Sequence, residues 1–233
     1  MTATAGGAPG PVEAGRWPSR GPRLWEHPDV RLFAGRHRLP RSVVERIQRD
    51  RLIDAMIAVA ARLGYQDASV EKVITEAGVS RRTFYDLYSD REECFLAAYG
   101  DVASSLLVLT YDAHRQGSSP RERIERTLAA FFGFWADEPD AARACMVEVL
   151  AAGPAARAKR ARALEALATL IEADLGRLRG SDAPAPLAAL AFVGAVHELT
   201  YMRIDRGETA DLPALARQIV ACELTPLSAG ASE

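Results

Sequence analysis

A chain of 233 residues with 48% hydrophobic and 26% charged content can bury one large core or a small domain beside a larger one, and it is too apolar for disorder. No unbroken run approaches the ~18 apolar residues of a membrane span, and the start lacks a signal-peptide core, so no membrane partner and a cytoplasmic address are expected. The net charge of -2 divides unevenly: residues 36–91 carry +3, residues 92–233 carry -6 and residues 1–35 carry +1. Cys94, Cys145 and Cys222 lie far apart within apolar helical patterns, which predicts buried thiols and neither a disulfide nor a metal cage. Of the 29 basic residues only Lys72 and Lys159 are lysines, a coding bias that suits a high-GC bacterial genome.

Residues 1–38 are punctuated by Gly6-Gly7, Pro9, Gly10-Pro11, Pro18, Gly21-Pro22 and Pro28 too often for a regular element, so a flexible or loosely docked arm is expected. Arg31, Arg36, Arg38 and Arg41 fall in a stretch without acidic residues, suited either to phosphates or to plain solvation. Ser42 with Glu45 has the spacing of a capping box and predicts a helix start. Leu52, Ile53, Met56, Ile57, Ala60 and Leu63 then recur at three- and four-residue spacing until Gly64 stops the helix. Ser69 starts a short helix through Ala77, Gly78 makes a turn, and Ser80 starts a third helix to about Tyr88. Asp90 with Glu93 opens a longer fourth helix through Phe95, Leu96, Tyr99, Val102, Leu106 and Leu107.

Ser119-Pro120-Arg121-Glu122 places a cap, a first-turn proline and a return carboxylate in order, opening a helix to about Ala136. Pro139 and Pro154 mark two starts, and Gly153 and Gly180 two stops. Pro186 begins a helix ending near Gly207, and Asp211 caps one reaching about Leu224. No segment alternates like a strand. The expected fold is all-α with about nine helices. It divides into an arm (1–38), a small three-helix domain (39–90), a larger helical bundle (91–226) and a tail (227–233).

Two short helices joined by a glycine turn form a helix-turn-helix, whose second helix lies in the major groove of DNA. On that helix Phe84, Leu87 and Tyr88 share an inward stripe. Arg81, Arg82 and Tyr85 project elsewhere, near the N-terminal end that meets base edges and phosphates. Arginine donates two hydrogen bonds to guanine, and the Thr83 methyl suits thymine. Ser80 sits at the positive end of the helix, where hydroxyl and backbone N–H groups hold phosphate, and Arg91 is placed to clamp the flanking backbone.

The stretch Ala77-Gly78-Val79-Ser80 followed by Thr83-Phe84-Tyr85, within residues 48–99, resembles the tetracycline-repressor (TetR) family. The resemblance implies an all-helical, two-domain subunit that forms a homodimer on a palindromic double-stranded operator and releases it when a small molecule enters the larger domain. By position it implies DNA contacts from Ser69, Lys72, Ser80, Arg81, Arg82, Thr83, Tyr85 and Arg91. The chain departs from the family pattern at Ile74, often alanine, at Leu87, often histidine, and at Arg91, usually lysine.

Beyond Asp101 the reading rests on residue chemistry alone. Phe131, Phe132, Phe134 and Trp135 cluster at the end of one helix, Cys145, Met146 and Val149 lie on the next, and Phe192, Val193, His197 and Tyr201 on a late one. Phe131, Phe134, Trp135, Met146, Val149, Phe192, His197 and Tyr201 are the candidates for lining an apolar effector pocket, against an ordinary bundle core. Leu187, Leu190, Phe192, Val193 and Val196 exceed one helix's need for core and point to subunit pairing through the last two long helices. A helix-turn-helix protein without an effector is the competing reading. No cofactor or metal is expected, since the histidines at 27, 37, 114 and 197 lack ligand spacing. Nor is an enzyme, because no phosphate loop, nucleophile elbow or dinucleotide fingerprint is present.

Overall fold

The computed structural model describes residues 40–224, which places the expected arm, with Arg31, Arg36 and Arg38, and the expected tail outside the described residues. Within them run nine α-helices: α1 Arg41–Leu63, α2 Val70–Ala77, α3 Arg81–Leu87, α4 Arg91–Arg115, α5 Pro120–Asp137, α6 Pro139–Ala142, α7 Pro154–Leu178, α8 Pro186–Asp205 and α9 Leu212–Ile219. No strand occurs among the described residues.

Where the caps are local, they form as the sequence predicts. Ser69 accepts from the Lys72 N–H, Ser80 from Thr83, Asp90 from Glu93 and Ser119 from Glu122. The return carboxylates are displaced by one residue. Glu93 accepts from the N–H and hydroxyl of Ser89, and Glu122 from those of Ser118, because a serine just outside the cap offers two donors instead of one.

The Ser42 capping box does not form. Pro40, with φ of -54°, already sets the chain for a helix at Arg41, so Ser42 lies inside the first turn and Glu45 pairs instead with Arg41 at 2.7 Å. Asp211 also makes no side-chain cap. It sits in a 3-10 turn at φ -88°, ψ -4°, away from the extended backbone that capping needs. The single helix expected from Pro139 to Gly153 is broken instead. One α-turn is followed by a π-helical stretch, Arg143–Val147, and a 3-10 turn, Glu148–Ala151.

Helices α1 to α3 close around Leu52, Met56, Val73 and Phe84, and the start of α4 completes that core with Cys94 and Phe95. The rest of α4 packs with α5, α7 and α8 into the larger bundle, so one long helix belongs to both. Lys159 of α7 donates to the Leu96 carbonyl of α4 at 2.8 Å. At the far end Asp174 joins three helices: it accepts from His114 of α4 at 2.8 Å and from Arg123 of α5 at 2.6 Å, with its own neighbour Arg177 at 3.5 Å. Burial alone would push the Asp174 carboxyl up, but the hydrogen bonds from Arg123 and His114 outweigh it and hold it below the usual carboxylate range.

Two sequence expectations need correction. Helices α4 and α8 each contain an 18-residue stretch long and apolar enough to cross a membrane by length and composition once a few charges are tolerated, with mean hydropathies of 1.4 and 1.3, which a search for unbroken apolar runs misses. The apolar side of α4 is turned into protein through Phe95, Ala98, Tyr99, Val102 and Leu106. Of the three thiols only Cys94 and Cys145 are buried. Cys222 is exposed, because it follows the last α-turn, in the π-helical stretch Val220–Leu224.

Candidate nucleic-acid interface and interior cavities

The turn before α3 is built by Gly78, whose φ of +62° lets the Gly78 N–H reach the Thr75 carbonyl and the Val79 N–H reach Ile74. This double closure ends α2 and redirects the chain within three residues. Phe84 is fully buried and Tyr88 nearly so, with Leu87 half-buried beside them. That stripe anchors one side of α3. Arg81, Arg82 and Tyr85 consequently face solvent.

The exposed side is ordered by contacts within the chain. Ser80 Oγ accepts from the Thr83 N–H at 3.0 Å and pairs with the Thr83 hydroxyl at 2.9 Å. Arg81 stacks over the Tyr85 ring at 5.6 Å and is ion-paired with Glu71 of α2. Glu71's own backbone N–H, and then Arg81, hold that carboxyl below the usual range. Arg82 lies 3.8 Å from Asp86 one turn on. Lys72 is exposed, its Nζ donating to the Asp67 carbonyl at 2.8 Å, and Ser69 is occupied as the cap of α2. Glu71 is a functional neighbour that sequence reasoning missed, since ten residues and a turn separate it from Arg81.

Arg91 stands apart from this group. It is half-buried, its Nη1 donates to the Tyr65 and Gln66 carbonyls at 3.2 and 2.9 Å, and its guanidinium lies 4.4 Å over the Tyr65 ring. In this state it holds the α1–α2 turn. That same turn rests on the broken helix of the larger bundle: Glu148 accepts from the Tyr65 N–H at 2.8 Å, and Gln66 donates to the Ala151 carbonyl at 3.0 Å. Arg143 continues the chain of contacts, 3.4 Å from Glu148 and 3.2 Å from Asp205 at the end of α8.

Inside the bundle two cavities of about 30 Å³ each share a wall made by Phe131, Leu164, Leu167 and His197. The first continues to Thr127, Phe192 and Val196, the second to Tyr99, Trp135, Cys145 and Met146. Of the eight candidates, Phe131, Trp135, Met146, Phe192 and His197 therefore line a cavity, whereas Phe134, Val149 and Tyr201 do not. By helical rotation Trp135 lies about 40° from Phe131 on one side and Phe134 about 60° on the other. Val149 is buried away from the cavities in the 3-10 turn, and Tyr201 is half-buried one turn beyond His197. Helix α7, which carries no aromatic residue in this region, supplies Leu164, Leu167 and Ile171. Their three- and four-residue spacing was the available signal.

His197 is buried and accepts at Nδ1 from Arg160 Nη2 at 3.0 Å. Burial, then the Arg160 charge, pushes its pKa down to about 3, so the ring is neutral. Outside the bundle a groove of about 900 Å³ runs between α8 and α9, lined by Leu187, Ala191, Leu199, Ile219 and Cys222 among others. Leu187 is 80% exposed. Among the described residues no cluster of His, Cys, Asp or Glu is placed to hold a metal.

An all-helical chain that buries one side of a short capped helix and offers arginines and a tyrosine on the other belongs to the helix-turn-helix class. Residues 52–98, which hold the end of α1, α2, α3 and the start of α4, match the family of bacterial regulatory proteins, tetR family. Over 98 residues the chain is 30% identical to the HTH-type transcriptional activator FasR of Mycolicibacterium smegmatis, covering 42% of this chain and 43% of that one. The chain spans less than half the length of the curated relatives it matches. Among solved structures it is similar to a TetR-like transcriptional regulator from Rhodococcus sp. RHA1, with 26% identity, a TM-score of 0.57, and coverage of 80% of this chain and all of that one. The fold also matches the transcriptional regulator FadR from Bacillus subtilis in complex with stearoyl-CoA, at 18% identity, a TM-score of 0.67, and coverage of 76% and 97%.

Proposed function

We propose that this protein is a homodimeric DNA-binding transcriptional regulator of the bacterial cytoplasm, a repressor that leaves a palindromic operator when a small apolar effector enters the α4–α5–α7–α8 bundle. The observation that carries the reading is the solvent-facing set Arg81, Arg82 and Tyr85 on a helix whose other side is fixed by Phe84. Ser80 and Thr83, at the start of α3, and Ser69 and Lys72, at the start of α2, frame that set as phosphate contacts. Arg91 joins them only if it gives up the Tyr65 and Gln66 carbonyls. Pairing through α8 and α9 is supported by the exposed Leu187, Leu190, Leu199 and Met202 beside an open groove. Two reading heads related by a two-fold axis then meet half-sites about one DNA turn apart. Leu187→Asp with Leu190→Asp should convert the dimer to monomer in sedimentation, and unchanged mass would remove this interface.

The effector acts through differential affinity for two states. It can reach the reading head along α4 and along the Glu148 contact with Tyr65, since Cys145 and Met146 line a cavity only a few residues before Glu148. The FadR neighbour was solved with stearoyl-CoA, whose acyl chain, though not its charged coenzyme A part, is the kind of long apolar body this reading invokes. Cavities of about 30 Å³ favour the competing reading, a regulator without effector, because ligand sites usually exceed about 300 Å³. On the effector reading that smallness becomes the mechanism, as entry must part the helices. A thermal-shift screen with apolar compounds decides between them, followed by operator titration at saturating ligand. Unchanged operator affinity would sink the switch.

A further inference from the structure

We propose that the interior site takes an uncharged, elongated apolar molecule carrying a hydrogen-bond acceptor, a carbonyl of an ester, ketone or amide, which Trp135 and His197 grip. This rests on the reading of the larger bundle as an effector domain. Phe131, Leu164, Leu167 and His197 line both cavities, so these shared side chains must move for the two to become one channel. Along α5 the combined lining runs from Ile124 to Trp135, roughly 16 Å at the rise of an α-helix. A long, thin occupant matches that length once its entry has parted the helices.

The polar inventory fixes the chemistry. Neither lining contains a Lys, Arg, Asp or Glu, and the Arg160 guanidinium stands behind His197 rather than in the lining, so a charged headgroup would find no counter-charge in the lining itself. Trp135 Nε1 is buried and has no hydrogen-bond partner, and indole N–H is only a donor. An orphan donor in a native core calls for an explanation, and a ligand acceptor provides one. His197 is the second donor: Arg160 donates to its Nδ1, which leaves the proton of the neutral ring on Nε2. Thr127, which also lines the channel, already donates its hydroxyl to the Arg123 carbonyl. Tyr99 adds a hydroxyl that can donate or accept, and Cys145 a thiol, so the donors of Trp135 and His197 are what ask for an acceptor on a hydrocarbon body.

Matched twelve-carbon probes test this on the full-length protein by titration calorimetry: methyl dodecanoate, dodecane, dodecanoate and dodecylamine. The ester is expected to bind at least ten-fold tighter than the other three. It should also move the Trp135 indole N–H resonance in ¹⁵N-labelled protein. Trp135→Phe should lower ester affinity at least ten-fold and leave dodecane unchanged. Preference for dodecanoate or dodecylamine would overturn the proposed chemistry and leave the effector reading intact. Binding of none of the four would overturn both. The comparison on the unaltered protein does not depend on the variant folding.

Discussion

The reading head and the bundle interior are built from the same kinds of helix, yet they solve opposite problems. In the small domain, several exposed groups of α3 and its cap have a partner within the chain: Ser80 with Thr83, and Arg81 with Tyr85 and with Glu71 of α2. In the interior the Trp135 Nε1 donor is left without a partner, and the space beside it is small. The difference teaches where stability and response reside. On the proposed function, a surface that meets a stiff duplex is preorganised, whereas a site that changes shape keeps an unsatisfied donor beside little open space.

The comparison can be broken most severely at Phe84. It is fully buried under the α3 face, so Phe84→Ala should cost about 3–5 kcal/mol in denaturant unfolding and abolish operator binding. A variant that kept its reading head would show that α3 is not held by this anchor.

The interior is probed by pH. An unfolded His197 takes up a proton below about 6.5, while the native ring resists protonation until about 3. Its contribution is thus present above pH 6.5 and is lost as pH falls toward 3, with a slope of up to about 1.4 kcal/mol per pH unit. His197→Gln should flatten the stability profile between pH 6.5 and 4.5. An unchanged slope would mean that the ring is protonated in the native bundle.

Glu148 lies between the two regions. Glu148→Ala leaves the Tyr65 N–H without its acceptor and should cost about 1–3 kcal/mol. It should also weaken the effect of ligand on operator affinity, measured by titration with and without effector, while ligand binding itself persists. Retained coupling would assign the signal to α4 alone. The smallest expected effect is at the surface, where Glu71→Gln removes the carboxylate that holds Arg81. Affinity for DNA at low salt should rise a few-fold, and a fall would show that Glu71 orients Arg81 productively.

What was legible in the sequence follows the range of the forces involved. Ser69, Gly78, Ser80 and Asp90 act on partners within about five residues, and the short helices they bound lie where those residues place them. Ser42 failed although its spacing was right, because Pro40 had already opened the helix. The cavity was half legible. Phe131 and Trp135 were readable as aromatics on one face, but Phe134 shares most of that face and only the packing of α7 decides which of them meets open space. Arg91 carries the right charge at the right position, yet its geometry is set by carbonyls 25 and 26 residues earlier in the chain. Cys222 looked like core because its helix is apolar, and the end of that helix leaves it in the open groove.

The central claim, that the exposed side of α3 reads DNA, is tested most directly by selecting bound sites from random duplexes and titrating the best one against Arg81→Ala and Tyr85→Phe. The account predicts a palindromic site and a loss of roughly ten- to a hundred-fold on it, with far less loss on random DNA. Wild-type affinity in both variants, or equal loss on every sequence, would contradict it.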